Sequence, residues 1–122
     1  MAGHKLDRLS SDVTFELAEI FRTLKDPRVT RYLLTIVRVE ITNDLSYATI
    51  HVGAMEGIEA AKEAVKGLIS ASGYIRRELA ARVKMRKVPE LRFVADDSIE
   101  HSAHIARMLE SIKTEDGEQQ DD

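Results

Sequence analysis

The chain has 122 residues, 43% of them hydrophobic, a length that suffices for one domain with its own core and is too short for two ordinary domains. It has no cysteine, no apolar leader and no long apolar run, which excludes disulfides and thiolate sites and predicts a cytoplasmic protein that is neither secreted nor membrane-spanning. The formal net charge of -3, taken alone, disfavours a nucleic-acid partner.

The first element is predicted to be an amphipathic helix, because apolar residues recur every three or four positions from Leu6 to Leu24. Asp26-Pro27 ends this helix, since proline disfavours a helical conformation in the residue before it. We therefore expect the chain to leave the helix into a loop at Lys25-Asp26-Pro27-Arg28.

Two strands are predicted next, because the period of the apolar residues changes to two. The first runs from Thr35 to Thr42 and should place three apolar side chains on one face, namely Val37, Val39 and Ile41. The second should do the same with Ala48, Ile50 and Val52. The polar turn Asn43-Asp44 joins the two strands into a hairpin.

Helical spacing returns after Gly53 and predicts two helices that meet at a bend. The apolar stripe of the first helix consists of Ile58, Ala61, Val65 and Leu68, widened by Ile69. Ser70-Ala71-Ser72-Gly73 interrupts the pattern. The second helix resumes it with Ile75, Leu79 and Val83.

A third strand and a last helix complete the pattern. Leu91, Phe93 and Ala95 alternate with polar or exposed positions after Pro89. Asp97-Ser98-Ile99-Glu100 resembles a capping box and opens a helix whose apolar stripe is Ile99, Ala103, Ala106, Leu109 and Ile112. Residues 114–122 contain five acidic side chains, no basic one and no apolar periodicity. We therefore predict a domain at residues 1–113 followed by a disordered acidic tail at 114–122.

The predicted order is helix, strand, strand, helix, bend, helix, strand, helix. Three strands with helices supplied in pairs fit an α+β fold in which one small sheet is packed by helices on one face. The other face of the sheet should stay open to solvent or to a partner.

The charge is distributed unevenly along the chain. Between Tyr74 and Arg92, seven basic residues stand against two acidic ones. The basic residues are Arg76, Arg77, Arg82, Lys84, Arg86, Lys87 and Arg92. Because a clustered basic segment matters more to a phosphate backbone than the whole-chain charge does, this segment predicts binding to an anionic polymer.

The bend at Ala71-Ser72-Gly73 starts a new helix, whose first turn presents backbone N–H groups and the positive end of the helix dipole. Such an end attracts phosphate, and Arg76 and Arg77 follow within one turn. Small residues at a bend also allow two helices simply to pack closely. Both interpretations remain open from the residues alone.

These features resemble bacterial ribosome-binding factor A, in which a strand pair and a helix lead to an Ala-x-Gly kink, here Ala71-Ser72-Gly73. The helix after the kink carries Ile75-Arg76-x-x-Leu79 and leads to a strand. Further matching motifs are Asp26-Pro27-Arg28, Asp44-Leu45-Ser46-Tyr47-Ala48 and Val88-Pro89-Glu90-Leu91-Arg92-Phe93, followed by Asp96 and Ser98. The motifs stand in the right order and spacing and cover about residues 5 to 112.

The resemblance implies a type II KH-like fold in which the Ala-x-Gly kink replaces the Gly-x-x-Gly loop that clamps nucleotides. It implies a non-enzymatic, monomeric, cytoplasmic factor that needs no cofactor. Its partners would be the free small (30S) ribosomal subunit and 16S rRNA. Its role would be to assist late maturation of the subunit and processing of 16S rRNA, above all in the cold.

The residues expected to bind RNA lie mainly at the kink and in the basic segment. They are Ser72, Gly73, Arg76, Arg77, Arg82, Lys84, Arg86 and Lys87, with Lys5 and Arg8 as a second contact at the start of the first helix. We expect binding to shape and phosphate instead of aromatic stacking, since the chain has only three Tyr and three Phe. No catalytic residue and no metal ligand is assigned.

Other readings of the sequence give weaker hypotheses. The protein could be an adaptor that binds a protein through the acidic tail or the open sheet face, or an enzyme with a phosphate site at the bend, although no nucleophile is paired with a base. His101, His104 and Asp97 have helical spacing, but a zinc site needs three or four convergent ligands, so surface histidines are the simpler interpretation. Adjacent Asp96 and Asp97 should point apart, and capping of the last helix explains Asp97.

Overall fold

The computed structural model describes the backbone of residues 2–120 and the side chains of residues 6–99, 101–102 and 104–112. The elements in chain order are α1 (Ala2–Phe21), α2 (Pro27–Thr30), β1 (Leu34–Ile41), β2 (Tyr47–Ala54), α3 (Ile58–Ser70), α4 (Ser72–Arg82), β3 (Glu90–Ala95) and α5 (Ser98–Gln120). Every helix and strand predicted from the sequence is present. The α+β fold class with one three-stranded sheet is confirmed.

The strands are ordered β1-β2-β3, with β1 antiparallel and β3 parallel to the central strand β2. One face of the sheet is covered by α1, α3 and α4, as predicted. The largest fully buried side chains are Leu17 and Ile20 of α1, Ile50 of β2, Leu68 of α3, and Ile75 and Leu79 of α4. Burial of each such side chain stabilises the fold by about 1.5 to 3 kcal/mol, so this interface fixes where α4 lies.

Residues 22–26 after α1 form a turn and a loop, but Pro27 and Arg28, which were predicted to belong to that loop, begin a short helix. α1 ends at Phe21, and α2 begins at Pro27 with Asp26 as its N-cap. The Asp26 carboxylate accepts the backbone N–H of Arg28 at 2.9 Å and pairs with its guanidinium at 2.7 Å. Proline is favoured in the first turn because its missing N–H would have no partner there, so Asp26-Pro27 starts a helix here.

The first strand contains a bulge that the alternation of its residues does not reveal. Pairing with β2 shifts between Ile36 and Arg38, which leaves Val37 unpaired. The prediction that Val37 shares a face with Val39 and Ile41 is therefore wrong, because its side chain lies on the opposite face, beside Gly53. In a regular strand Leu34 and Ile41, which are seven residues apart, would face opposite sides of the sheet. The bulge lets both side chains pack against the core.

The last helix leaves the sheet soon after it begins. Ile99 in its first turn packs on the sheet, where Cδ1 lies 2.7 Å from the position that a Cβ on Gly53 would occupy. The rest of the predicted apolar stripe that the structure describes is exposed, with Leu109 at 61% and Ile112 at 53%. Ile69 of α3, predicted to widen a buried stripe, is likewise exposed at 55%.

The first turn of α5 is capped by Asp96 and Asp97 together. The Asp97 carbonyl accepts the N–H of His101 at 3.0 Å, whereas the side chain that accepts the N–H of Ser98, at 2.7 Å, belongs to Asp96. The side-chain hydroxyl of Ser98, and then its backbone N–H, lower the pKa of Asp96 by hydrogen bonding to the carboxylate. The predicted capping partner Glu100 lies outside the described side chains.

The backbone of residues 114–120 is helical, although the sequence predicts a disordered tail from residue 114. No proline interrupts the segment, so the helix of residues 98–113 can continue through it. The acidic side chains predicted to form the tail lie outside the described residues, and the boundary at residue 113 stays a prediction. None of the helices, over the residues described, combines the length and apolarity that crossing a membrane requires.

Helix α3 approaches α2 closely at Gly67. A Cβ at this position would stand 2.8 Å from Cγ2 of Val29 and 3.3 Å from Cβ of Arg28. The structure has no room for a side chain here, because both neighbouring atoms are close to the backbone of α2.

Replacing Gly67 by Val is expected to lower the free energy of unfolding by about 2 kcal/mol or more, because α2 must move away from α3. Urea denaturation measures the effect. Gly73→Val is the matched control, since a Cβ at Gly73 would meet only Nη1 of Arg77, at 3.6 Å, and should cost less than about 0.5 kcal/mol. Equal losses in the two variants would contradict the close approach of α2 and α3.

The β1-β2 turn is held by the Asp44 carboxylate. Its Oδ1 accepts the backbone N–H of Ser46 at 3.0 Å and the hydroxyl of Thr42 at 2.9 Å. The hydrogen bonds from Ser46 and then Thr42 lower the pKa of Asp44 to about 2. Leu45 adopts φ 60° inside the turn and is 8% exposed, so the turn also closes one end of the core.

Because the pKa of Asp44 is lower in the folded state than its ordinary value of 3.8, its stabilising effect is complete above about pH 4 and is lost as the pH falls towards 2. Asp44→Asn is expected to lose part of this acid sensitivity. Thermal unfolding of both proteins should show a difference in Tm that is largest near pH 6 and becomes smaller as the pH falls towards 2. A difference independent of pH would contradict the role of the charge.

Candidate nucleic-acid interface

Helices α3 and α4 meet at a bend of a single residue, Ala71. Ala71 has φ -93° and ψ 5°, and its N–H donates to the Gly67 and Leu68 carbonyls, both at 3.1 Å. No side chain caps the start of α4. Gly73 is exposed, with Nη1 of Arg77 3.6 Å from the position of a Cβ, and Ser72 is half-buried, so neither residue is needed for close packing of the two helices. The start of α4 therefore remains a candidate anion contact.

Helix α4 is fixed on two sides, so its basic residues have defined positions. Ile75 and Leu79 are fully buried against α1 and the sheet. At its start, the Tyr74 hydroxyl lies 2.8 Å from the hydroxyl of Thr23 at the end of α1. Arg76 and Arg77 lie on the side of α4 away from the core and are exposed.

The segment that joins α4 to β3, residues 83–89, is hereafter the basic loop. Its apolar residues Val83 and Pro89 are buried, whereas the charged residues between them are exposed. The exposed basic residues are Lys84, Arg86 and Lys87. None of the three forms an ion pair with a carboxylate among the described residues, so their charge is available to a ligand.

Three contacts hold the basic loop in place. Nη2 of Arg76 donates to the Val88 carbonyl at 2.6 Å, and the N–H of Glu90 donates to the Ser46 carbonyl at 2.9 Å. Nζ of Lys87 lies 3.5 Å from Oγ of Ser46. The loop is therefore anchored to α4 on one side and to the β1-β2 turn on the other. Arg76 supports the loop as well as contributing a charge.

Arg82 differs from the other predicted RNA-binding residues because its charge is already neutralised. Its guanidinium pairs with Glu16 of α1 at 3.6 Å and with Glu78 of α4 at 3.4 Å. This pairing ties the end of α4 to α1. Among the predicted residues whose side chains are described, Arg82 is the one that the structure makes least available to a phosphate.

The predicted second contact, at the start of α1, is only partly visible. Arg8 is exposed and has no ion-pair or hydrogen-bond partner within the described part of the chain. Lys5 belongs to α1, but its side chain lies outside the described residues. Over the described side chains, no hydrogen bond or ion pair joins Arg8 to the basic loop, although Lys84 of the loop lies beside Asp12, one helical turn after Arg8.

Three comparisons with known proteins bear on this arrangement. The sequence profile of the family described as ribosome-binding factor A matches residues 5–109. The chain is 40% identical over 114 residues to ribosome-binding factor A of Clostridium novyi, covering 93% of each protein. It belongs to the ribosome-binding factor A family.

Solved structures of the family share the fold. The crystal structure of ribosome-binding factor A from Thermus thermophilus matches with a TM-score of 0.65 and 32% identity, over 74% of this chain and 93% of that one. A homology model of the Thermus thermophilus protein, fitted into the cryo-EM map of a 30S complex, matches with a TM-score of 0.57 and 32% identity, over 70% and 88% of the two chains.

The motifs by which the sequence resembles ribosome-binding factor A have structural roles in this chain. Asp26-Pro27-Arg28 starts α2, Asp44 holds the β1-β2 turn, and Val88-Pro89 ends the basic loop at the point where β3 begins. These motifs define the shape of the family fold around the basic loop. They do not themselves supply its exposed charge.

One feature of this member of the family was missed by reasoning from the sequence. Arg92 lies on the sheet face opposite the helices, with its guanidinium carbon 3.7 Å from the centroid of the Tyr47 ring. The alternation of β3 indicates that Arg92 faces away from the core. Its contact with Tyr47 depends on the parallel register Tyr47↔Glu90 and Thr49↔Arg92, which single-strand patterns do not specify.

The imidazoles of His101 and His104 are exposed on α5. Over the side chains that the structure describes, no group of three or more His, Cys, Asp or Glu residues is placed to hold a metal ion.

Proposed function

We propose that this protein binds the small ribosomal subunit by setting Arg76, Arg77, Lys84, Arg86 and Lys87, hereafter the basic surface, against the phosphates of 16S rRNA. Family membership supports a ribosomal target, since the Thermus thermophilus relative was fitted into the map of a 30S complex. The observation that carries the proposal is the basic loop, whose three exposed cations form no ion pair with a carboxylate among the described residues while its backbone is anchored at both ends. Exposed cations in fixed positions favour a polyanion of fixed shape.

The bend between α3 and α4 positions this surface. A one-residue bend at Ala71 offers no extended loop like Gly-x-x-Gly to clamp a run of nucleotides. Binding at the bend is therefore restricted to phosphate contacts with Ser72 and Gly73 at the start of α4. Lys5 and Arg8 would supply a second, separate contact, and Arg82 would contribute mainly by holding α4 to α1.

In this proposal the protein acts as a cytoplasmic monomer and performs no catalytic step. It assists late maturation of the subunit and processing of 16S rRNA by stabilising one arrangement of the RNA. Its effect is largest in the cold, because wrongly paired RNA helices rearrange more slowly at low temperature.

Sucrose-gradient sedimentation of a cell extract tests the proposed function. The protein should travel with free small subunits, and its removal should leave unprocessed ends on 16S rRNA. Binding should also weaken steeply between about 50 and 200 mM salt, since several phosphate contacts release counterions. A protein that sediments with no ribosomal particle at low salt would refute the proposal.

Deletion of residues 114–122 is expected to leave binding to the subunit unchanged or slightly tighter, because five acidic side chains next to the fold repel RNA. Filter binding of purified small subunits to the full-length and shortened chains measures the difference. Substantially weaker binding by the shortened chain would instead identify the tail as a contact segment.

An adaptor function has one specific observation in its favour, the exposed apolar stripe of α5. Its side chains are 43% to 61% exposed and consist of Ile105, Met108, Leu109 and Ile112. A partner protein bound there by apolar burial would stay bound at salt concentrations that release RNA. Salt-resistant association with a protein in the gradients would favour this alternative.

A further inference from the structure

The sheet face opposite α1, α3 and α4 carries mostly polar and aromatic side chains, and at the Gly53 end Ile99 of α5 and Val37 lie on it. The strand pairing places the other side chains of this face, hereafter the open face: Thr35, Arg38, Glu40, Tyr47, Thr49, His51, Glu90, Arg92 and Val94. The end of this face away from Ile99 is formed by the first residues of β2 and β3, where Tyr47 and Arg92 lie.

Tyr47 and Arg92 form a stacked pair at this end. The Arg92 guanidinium carbon is 3.7 Å from the centroid of the Tyr47 ring, a distance at which the planar group and the ring are in van der Waals contact. Arg92 is exposed, and within the described part of the chain its N–H groups have no hydrogen-bond or ion-pair partner. One plane of the guanidinium thus contacts the ring, which leaves its opposite plane and its donors available to a ligand.

The stacked pair adjoins the basic loop. The loop leads directly into β3, and its Lys87 reaches Ser46, the residue before Tyr47. A polyanion bound along Arg86 and Lys87 would therefore arrive beside Arg92. The basic surface and the stacked pair therefore lie at the same end of the molecule, the first beside α4 and the second on the open face of the sheet.

The other charges of the open face lie further from the loop or are already paired. Glu40 pairs with Arg38 at 2.8 Å, and Nε2 of His51 lies 3.1 Å from the same carboxylate, at an angle that makes no hydrogen bond. Nδ1 of His51 is 3.9 Å from Asp96. Glu90 is exposed and lies opposite Tyr47, and its negative charge repels a phosphate from the open face. We therefore expect the phosphate of a bound nucleotide on the side of the basic loop and its uncharged base over Arg92.

We infer that the Tyr47-Arg92 pair binds an unpaired RNA nucleotide whose base stacks on the free plane of the Arg92 guanidinium while its phosphate contacts the basic loop. The inference rests on the proposed function for the phosphate contact and adds a base contact on the opposite face of the sheet. Guanidinium planes and aromatic rings are the groups on which proteins stack splayed-out bases. The ligand is single-stranded RNA, because bases within a helix have no free face.

Nuclear magnetic resonance of the isotope-labelled full chain tests the base contact. Hexa-adenylate RNA is expected to shift the Nε–Hε signal of Arg92 and the ring signals of Tyr47 as well as the backbone amides of the basic loop. Inorganic polyphosphate, which has the charges without the bases, is expected to shift the loop amides without an equivalent change at Arg92. Equal shifts at Arg92 with both polymers would overturn the inference, because they would show that Arg92 responds to the charge of the polymer and not to its bases.

The same titration separates the inference from the proposed function. If hexa-adenylate moves the loop amides but leaves Arg92 and Tyr47 unchanged, the base contact is refuted and the phosphate contact stands. If it moves neither group, both are refuted.

Arg92→Lys keeps the charge and removes the planar group, so it is expected to weaken binding of hexa-adenylate by about fivefold to a hundredfold without changing the salt dependence. Arg22→Lys, at an exposed arginine near the end of α1, is the matched control and should leave affinity unchanged. Thermal unfolding verifies that both variants are folded. An affinity of Arg92→Lys equal to that of the control would overturn the inference.

Discussion

Replacing Arg77, Lys84, Arg86 and Lys87 together by Ala is expected to abolish association with small subunits at physiological salt while leaving the fold intact. All four side chains are exposed, and none forms an ion pair with a carboxylate of the described residues. Removing four phosphate contacts should lower the slope of log affinity against log salt by about 3. Arg76 is kept, because its hydrogen bond to Val88 supports the basic loop.

A variant with the same change in net charge controls for the position of these residues. Replacing Arg22, Lys25, Lys62 and Lys66 by Ala removes four exposed basic side chains, two from the segment between α1 and α2 and two from α3, none of which belongs to the basic surface. Gradient sedimentation and filter binding across a range of salt should show that this control still binds. Equal loss of binding in the two variants would mean that overall charge, and not the basic surface, determines association.

Replacing Leu79 by Ala is expected to cost about 2 to 5 kcal/mol of the free energy of unfolding, a large share of the about 5 to 15 kcal/mol typical of a whole domain. Leu79 is 0% exposed, and it attaches α4 to the core together with Ile75. The cavity would loosen the helix that begins the basic surface, so binding to subunits should weaken although no charge is lost. Urea denaturation and filter binding measure the two effects.

Leu79→Met is the matched control for this prediction. It nearly conserves volume and should cost less than about 1.5 kcal/mol, with binding preserved. A loss below about 1 kcal/mol for Leu79→Ala would contradict the placement of this side chain in the core.

Periodicity alone identified the four long helices, the strands and the bend, because α1, α3 and the strands bury one face each against a single core. Periodicity did not reveal the bulge in β1. Leu34 and Ile36 follow one phase of alternation, Val39 and Ile41 follow the other, and Val37 fits the second phase. The pairing with β2 decides where the phase changes, and one strand does not contain that information.

The short helix α2 shows a different limit. A single turn is too short to display an apolar period, and Asp26-Pro27 can end one helix or start the next. The close approach of Gly67 to Val29 favours the second outcome, and that contact joins parts of the chain that are distant in sequence.

The candidate interface was predictable in its charge and not in its geometry. A count of basic residues gives Arg82 the same weight as Lys84, yet Glu16 on α1 neutralises Arg82. The count likewise places Arg92 with the other bases, whereas the direction of β3 sends its side chain to the open face. The effect of each charge depends on residues that only the folded chain brings near it.

The parallel pairing of β3 with β2 has a consequence for how the chain folds as it is synthesised. The β1-β2 hairpin can close with residues that are neighbours in sequence, but Tyr47 has to wait for Glu90, on the far side of α3, α4 and the basic loop. A growing chain that ends before β3 therefore carries its cations on an unanchored segment. We expect the protein to acquire its RNA-binding shape only when nearly all of the chain has been made.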